Sequence, residues 1–303
     1  MTGNERFRGV GVALVTPFHA NGALDLDALA RHAERMIEGG VDYLVPCGTT
    51  GESATMDLRE QADVIRATVA AAAGRVPVVA GAGGNATADA VAKARAAADA
   101  GADALLSVAP YYNKPPQEGL YRHFEAVAAA TDLPVVLYNV PSRTSSNIRP
   151  DTVLRLAEIP NVIAIKEASG DLAQIGTLLH DRPDGFLVLS GDDETTLPLL
   201  ALGADGLISV VANEAPAEIA ELVRAGLTGD FARARALHNR LLDLMRCNFI
   251  ETNPIPVKTA VEMLGGPTAH FRSPLVPLSD AARTILEEAL RAAGLTEPAG
   301  NAP

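Results

Sequence analysis

Lysine is the residue type whose placement in this sequence most strongly suggests chemistry. Arginines are numerous, but the lysines are few: Lys93, Lys114, Lys166 and Lys258. Lys166 alone closes an apolar run, VIAIK, which is typical of a buried strand. Apolar surroundings disfavour the charged ammonium, and the neutral amine is a nucleophile that forms a Schiff base with a carbonyl compound. The alternative is a lysine neutralised by a buried carboxylate such as Glu167.

Hydroxyl and guanidinium groups follow other apolar runs and would suit the same site. Tyr138 ends the run before that of Lys166, where a phenol could relay protons or simply cap the core. Thr49 and Thr50, in GTTGE, offer hydroxyls and free backbone N–H groups for a small carboxylate, or form only a tight turn with a helix cap. Arg143 could pair with a second carboxylate or lie on the surface.

Other motifs narrow the class of site. Tyr111 and Tyr112, before Asn-Lys-Pro-Pro, predict either a subunit contact or local loop packing. The six histidines include no H-x-H pair and none that ends a predicted strand, which argues against a metal-dependent hydrolase. The acidic SGDDE segment argues against a phosphorylated substrate, and we interpret Asp192 and Asp193 as helix N-caps.

These residues require elements that bring the ends of several strands together. Short apolar runs without polar alternation predict parallel strands that are covered on both faces. Eight such runs alternate with helical segments, which predicts an α/β fold of the (β/α)₈ TIM-barrel type with its active site at the carboxyl ends of the strands. An open doubly wound sheet is less favoured, because no run is followed by G-x-G-x-x-G. The runs are GVGVALV, YLVP, VPVVAG, ALLSVA, PVVLYN, VIAIK, FLVLSG and GLISVV.

The joints before three strands share one pattern, in which glycine ends a helix and an aspartate precedes the strand. They read GVDYL, GADAL and GADGL, and we expect the glycine to adopt a left-handed cap and the aspartate to fix the turn. From Ala215 onward the pattern is helical only. We therefore predict a catalytic barrel over 1–226, a small C-terminal helical appendage over 227–296 and a disordered tail over 297–303.

Composition excludes several classes of protein. The net charge of −12 over 303 residues, without a dense basic patch, argues against a nucleic-acid partner. The two cysteines, Cys47 and Cys247, lie far apart and outside any C-x-x-C spacing, which argues against a disulfide scaffold or a zinc site. No signal peptide and no membrane span is predicted, so we expect a cytoplasmic protein without a membrane association.

Seven motifs together resemble one enzyme family over nearly the whole chain. They are GTTGESAT, AGAGGNAT, PYYNKP, YNVPSRT, IKEASGD, LSGDD and NPIPVK. The sequence resembles the pyruvate-dependent class I aldolases of the dihydrodipicolinate synthase and N-acetylneuraminate lyase family. The resemblance implies a lyase that joins pyruvate to an aldehyde, and GTT together with the arginine of YNVPSRT favours L-aspartate 4-semialdehyde, in the diaminopimelate route to lysine. The alternatives are a sugar-acid lyase of the same family and a catalytically silent barrel scaffold.

The resemblance also implies the assembly, the cofactor use and the roles of individual residues. The implied assembly is a homotetramer built as a dimer of dimers, and the implied reaction uses neither a metal nor an organic cofactor. The implied roles are Lys166 as the Schiff-base lysine, Tyr138 as the proton relay with Thr49 and with Tyr112 of the neighbouring subunit, Thr50, Gly191 and Ile208 as the pyruvate pocket, and Arg143 as the aldehyde site.

A possible allosteric pocket at the dimer interface is implied for Ser53, Asn85 and Tyr111. Family members that lysine inhibits often carry histidine or glutamate in the helix after GTTGESAT and in the segment after NAT. This sequence differs there, so the resemblance implies weak or absent inhibition by lysine. The differing residues are Leu58, Gln61 and Asp89.

Overall fold

A ring of eight parallel strands forms the centre of the computed structural model, which describes residues 3–296. The strands are β1 (Gly9–Ala13), β2 (Tyr43–Val45), β3 (Val79–Gly81), β4 (Ala104–Val108), β5 (Val135–Asn139), β6 (Val162–Glu167), β7 (Leu187–Ser190) and β8 (Gly206–Ser209). They are ordered β2-β1-β8-β7-β6-β5-β4-β3. Two backbone bonds close the ring between β2 and β3, Leu44 N to Pro77 O and Gly81 N to Pro46 O, both 2.9 Å. The predicted barrel is confirmed, and closure excludes the open sheet.

Helices cover the outside of the ring and continue after the last strand. Two of them, α5 and α6, separate β5 from β6, and the four helices that follow β8 confirm the change of pattern predicted after Ala215. The helices are α1 (Leu26–Glu38), α2 (Leu58–Ala72), α3 (Thr87–Asp99), α4 (Gln117–Ala128), α5 (Pro141–Thr144), α6 (Pro150–Leu156), α7 (Leu172–Asp181), α8 (Thr196–Ala201), α9 (Pro216–Leu227), α10 (Phe231–Cys247), α11 (Ile255–Met263) and α12 (Asp280–Ala292).

The three glycine–aspartate joints fix each strand to its neighbour. The glycines at 40, 101 and 203 have φ between 84° and 99°, a region that L side chains rarely adopt. Each aspartate lies just before one strand and accepts a backbone N–H at or next to the start of the previous strand. The joint therefore fixes where the two strands begin relative to one another. The bonds are Val10 N to Asp42 Oδ2 (2.7 Å), Val78 N to Asp103 Oδ2 (2.9 Å) and Val188 N to Asp205 Oδ2 (2.9 Å).

The barrel interior is filled with side chains below the catalytic end. Phe7 and Tyr43 meet edge to face with ring centroids 6.4 Å apart, and both are buried. Gly11 makes room for this packing, since a Cβ there would lie 2.0 Å from the Tyr43 ring. Because side chains alternate along a strand, the inward positions above this layer include Tyr138 on β5 and Lys166 on β6.

The C-terminal helices pack against the β1 side of the barrel. Buried residues of α10 and α12 share one apolar cluster with Val10, Val12 and Leu14, which come from β1 and the residue after it. The predicted boundary between 226 and 227 falls at the end of α9, and this division of the chain stays a prediction. The tail predicted over 297–303 lies outside the described residues. Among residues 3–296, no helix combines the length and the apolar character that crossing a bilayer requires.

His32 joins α1 to the segment after β8 inside this packing. Its Nε2 lies 3.0 Å from Asn213 Oδ1, and Asn213 Nδ2 donates to Ala13 O at 2.8 Å. Burial lowers the pKa of His32 from 6.5 to about 4, so the folded protein holds this ring neutral.

We expect His32 to contribute to acid denaturation. Its contribution to the free energy of unfolding is complete above pH 6.5 and is lost as the pH falls towards 4, because only the unfolded chain then takes up the proton. The loss is about 3 kcal/mol. In urea denaturation between pH 7 and 4, His32→Gln should therefore lose less stability on acidification than the wild type. The exposed His180 offers the control His180→Gln. Equal pH slopes for His32→Gln and the wild type would contradict this prediction.

Candidate active site

Lys166 and Tyr138 lie side by side at the carboxyl ends of adjacent strands. They are partners in the register of β5 and β6, and Lys166 Nζ lies 4.5 Å from the centroid of the Tyr138 ring. Lys166 is 5% exposed and Tyr138 is 7% exposed. An amine and a phenol in van der Waals range within a shielded barrel end form a pair suited to covalent chemistry and proton transfer.

The alternative of a Lys166–Glu167 pair is excluded by the pleat of β6. Glu167 points to the opposite face, where Asn139 Nδ2 donates to both carboxylate oxygens at 3.2 and 3.1 Å and Ser169 N donates at 2.8 Å. Burial raises the pKa of Glu167 from its ordinary value, and these hydrogen bonds oppose the rise. Among the described residues, no carboxylate forms an ion pair with Lys166.

Gly191 and Ala168 form the wall against which the lysine stem lies. A Cβ at Gly191 would stand 2.7 Å from Ala168 Cβ, closer than real side chains approach, and 3.0 Å from Lys166 Cε, tighter than most real contacts. The absence of a side chain at position 191 therefore determines where the amine can sit.

The turn after β2 presents Thr49 and Thr50 opposite the lysine. It is compact, since Gly51 N donates to Gly48 O at 3.2 Å and Thr16 Oγ1 donates to Gly51 O at 2.7 Å. Cys47 and Glu52 bracket it with φ of 57° and 52°, a left-handed conformation that costs a non-glycine residue about 1–3 kcal/mol. Strained backbone of this kind persists only where the surrounding contacts hold it.

A cavity of about 360 Å³ lies between this turn and the lysine, within the size range of small-molecule sites. It brings together six predicted residues: Lys166, Tyr138, Thr49, Thr50, Arg143 and Gly191. Arg143, exposed on α5, stands at the mouth, and Asp192 is the acidic residue among the described lining residues. The chain as a whole has a net charge of −12, but this cavity has two basic groups. The cavity therefore attracts anionic ligands more strongly than the rest of the surface does.

Two predicted residues lie away from the cavity wall of this chain. Ile208 on β8 belongs to the buried interior, and Val210 lines the cavity in its place. Tyr112 is 88% exposed, and its φ is 74°. Its predicted role through a neighbouring subunit stays a prediction.

A sequence model of the Dihydrodipicolinate synthetase family matches residues 6–293. The chain belongs to this family. A curated relative from Koribacter versatilis (strain Ellin345), named 4-hydroxy-tetrahydrodipicolinate synthase, is 52% identical over 295 residues, which cover 97% of this chain and 98% of the relative. The structure of dihydrodipicolinate synthase from Aquifex aeolicus has a TM-score of 0.93 at 48% identity, covering 95% of this chain and 99% of that one.

A further solved structure bears on assembly in the family. It is described as the first monomeric dihydrodipicolinate synthase variant, with a TM-score of 0.94 at 42% identity, and the match covers 97% of this chain and 99% of that one. The resemblance inferred from the seven motifs is therefore confirmed at the level of family and fold.

The residues assigned to an allosteric pocket of this family are only partly brought together. Ser53 and Tyr111 line a second cavity of about 330 Å³, which shares Thr49 and Arg143 with the first. Asn85 is not among its lining residues, and its carbonyl accepts the Asn113 side-chain amide at 2.8 Å.

Gln61 does not line this second cavity. It is buried, and its amide donates to Ser53 O at 2.9 Å and to Met56 O at 3.1 Å, so its side chain is bound to backbone groups. Lys93 lines the cavity and donates to Gly83 O at 3.2 Å. The described lining residues include two cations, Lys93 and Arg143, and no carboxylate.

The interpretation of Asp193 as a helix cap is wrong. Asp193 is buried, and it accepts Ser209 Oγ at 2.5 Å and Val210 N at 2.9 Å, which fixes the end of β8 to the loop after β7. Burial raises its pKa to about 6, and these hydrogen bonds oppose the rise. Asp192 does cap the turn before α8, since its Oδ1 accepts Glu194 N at 2.9 Å.

Sequence reasoning missed lining residues that come from the C-terminal region. Asn253 and Phe249 both line the first cavity, and Asn253 Nδ2 donates to Thr50 Oγ1 at 3.0 Å. The signal available was the NPIPVK motif, which begins at Asn253 and contributes to the family resemblance, but from which no site residue was predicted. The contact joins residues that lie 203 positions apart, so no local pattern reveals it.

We expect Gly191→Ala to impair the site by displacing Lys166. The new Cβ would overlap Lys166 and Ala168, and such overpacking costs about 1–3 kcal/mol; if this cost is felt in the transition state, kcat/KM for the keto acid falls about 5- to 160-fold. The control is Gly176→Ala in α7, where a Cβ meets open space. Wild-type kinetics for Gly191→Ala would contradict the assignment of Gly191 to this wall.

Proposed function

We propose that this chain is a 4-hydroxy-tetrahydrodipicolinate synthase, which condenses pyruvate with L-aspartate 4-semialdehyde through a Schiff base on Lys166. The observation that carries the proposal is the buried Lys166 amine, which lies beside the Tyr138 ring, has no carboxylate partner within residues 3–296 and faces a turn suited to binding a carboxylate. Identity of about half with relatives named for this activity, over nearly the full chain, supports the same substrates.

The first half of the reaction forms the covalent intermediate. Lys166 Nζ attacks the keto carbon of pyruvate, and the resulting carbinolamine loses water to give the imine. Tyr138 would donate the proton that the departing oxygen needs and take it back, with Thr49 as its proposed partner in the relay. The hydroxyl of Thr50 and the backbone N–H groups of the turn bind the pyruvate carboxylate, which orients the keto group towards the amine.

The second half forms the carbon–carbon bond. Loss of a methyl proton converts the imine to an enamine, whose carbon attacks the aldehyde carbon of the second substrate. Arg143 at the cavity mouth binds the carboxylate of that substrate and so delivers the aldehyde to the enamine. The amino group of the second substrate then adds to the imine carbon and displaces Lys166, which closes the ring and frees the enzyme.

This chemistry supports the expectation that no organic cofactor or metal takes part. The protonated imine withdraws electrons from the adjacent methyl carbon, so the lysine adduct itself supplies the electron sink that enamine formation needs. Among the described residues, no group of three histidine, cysteine or acidic side chains is arranged to hold a metal ion.

A homotetramer built from tight dimers is part of the proposal. Tyr112 is exposed on a strained loop next to Tyr111, which is 38% exposed, and a second subunit would cover both rings and place Tyr112 near Tyr138 of its partner. The monomeric relative carries the same fold, so assembly would serve the completeness of the site rather than the fold. A cytoplasmic location is proposed with it, since both cysteines are unpaired thiols.

We further propose that L-lysine inhibits this enzyme weakly or not at all. The cavity lined by Ser53 and Tyr111 already contains the ammonium of Lys93 and the guanidinium of Arg143. A cationic effector there would meet two like charges and no carboxylate among the described lining residues, which disfavours its binding.

The imine is tested by reduction. Borohydride added with pyruvate should give a stable mass increase on Lys166, because reduction fixes the covalent adduct. Lys166→Arg should lose both the adduct and the condensation activity. Lys114→Arg, which alters an exposed lysine in a loop, is the matched control and should keep both. No adduct on the wild type, or an adduct on a different lysine, would overturn the proposal.

Arg143 is tested by separating the two substrates. Arg143→Ala should keep pyruvate trapping on Lys166 while kcat/KM for L-aspartate 4-semialdehyde falls about 10- to 200-fold, since a hydrogen bond to a charged group contributes about 1.5–3 kcal/mol. Cleavage of sugar acids, measured in parallel, checks the other branch of the family. Unchanged condensation in Arg143→Ala would remove Arg143 from the site.

A further inference from the structure

A fully buried ion pair lies behind the turn that carries Thr49 and Thr50. Lys258 Nζ and Glu52 Oε1 are 2.6 Å apart, and their side chains are 2% and 0% exposed. The proposed reaction uses neither group. Burial lowers the pKa of Lys258 from its ordinary value, and Glu52 opposes that shift.

The pair joins two distant parts of the chain. Lys258 lies on α11, 206 residues beyond Glu52, and it also donates to His270 O at 2.5 Å. Its ammonium lies 4.5 Å from the centre of the Phe18 ring, and Arg272 N donates to the second Glu52 oxygen at 3.3 Å. Glu52 is thus held by the C-terminal region from two sides.

Glu52 is also one of the two residues at which the turn is strained. Its φ of 52° lies in the left-handed region, which a side chain with a Cβ adopts only when its surroundings impose it. The buried pair holds the side chain of this residue. A second contact acts on the same turn, since Asn253 of the same C-terminal region donates to Thr50 Oγ1 at 3.0 Å.

We propose that Lys258 is a positioning residue that, through Glu52, holds the Thr49–Thr50 turn in the geometry that binds the carboxylate of the keto acid. This inference rests on the proposed function for the identity of that ligand. The alternative is that the pair contributes only to the stability of the fold. The two hypotheses predict different effects when the pair is lost. A positioning role affects the binding of one substrate, whereas a structural role affects the stability of the whole protein.

Two variants test the proposal in the full-length protein. Lys258→Met leaves the Glu52 carboxylate buried without its partner, whereas Glu52→Gln combined with Lys258→Met removes both charges and so avoids that penalty. The control is Arg75→Met, which breaks the exposed Arg75–Glu34 pair at the surface. The measurements are the pyruvate dependence of borohydride trapping, KM for each substrate, the melting temperature, and hydrogen exchange at the amides of residues 48–52.

We expect half-saturation by pyruvate to rise about 10- to 100-fold in both the single and the double variant, since a misplacement of about 1 Å can cost about 100-fold. KM for the aldehyde and all values for Arg75→Met should stay near wild type. Amides of residues 48–52 should exchange faster, and the double variant should recover melting temperature without recovering pyruvate affinity.

Two outcomes would overturn the inference. One is a folded double variant with wild-type pyruvate dependence, which would leave the pair a purely structural role. The other is unchanged hydrogen exchange at residues 48–52. If pyruvate fails to trap even the wild type, the proposed function is wrong, and the exchange measurement still decides whether the pair holds the turn.

Discussion

The proposed site depends on an amine that is buried without a counter-ion in the part of the chain that the structure describes. Burying an ionisable group is unfavourable unless it is paired or neutral, and Lys166 has apolar walls, an aromatic ring and a glycine beside it rather than a carboxylate. Other features of the site serve this arrangement. The barrel supplies the walls, Gly191 leaves the lysine stem its space, and the turn after β2 presents donors to a ligand that arrives at the amine.

The second buried lysine of this chain, Lys258, has the opposite environment. Lys258 is paired with Glu52 and lies near the Phe18 and Phe271 rings. In the proposed mechanism, Lys166 reacts and Lys258 holds two parts of the chain together, although both lysines are buried. The difference lies in whether a carboxylate accompanies the lysine and whether a cavity adjoins it.

Much of the barrel could be predicted from sequence, because its signals are local. The apolar runs became β1 to β8, and the glycine–aspartate joints have the expected left-handed glycines. Local pattern also placed Lys166, Tyr138 and Thr49 at strand ends. It failed for Asp193, whose partners belong to the next strand, and for Asn253, whose partner lies 203 residues away. Contacts between residues so far apart in sequence form only when the chain folds, so no local pattern indicates them.

Successive side chains of β6 point to opposite sides of the barrel wall, so the position of each depends on the register of the strand. Lys166 faces the cavity, and Glu167, the next residue, faces the helices and is bound by Asn139. A shift of the strand by a single residue would exchange the two, so that an acid entered the barrel and the amine met the amide layer outside. Insertion of one residue within this strand would thus reverse the polarity of the site while leaving every side chain present.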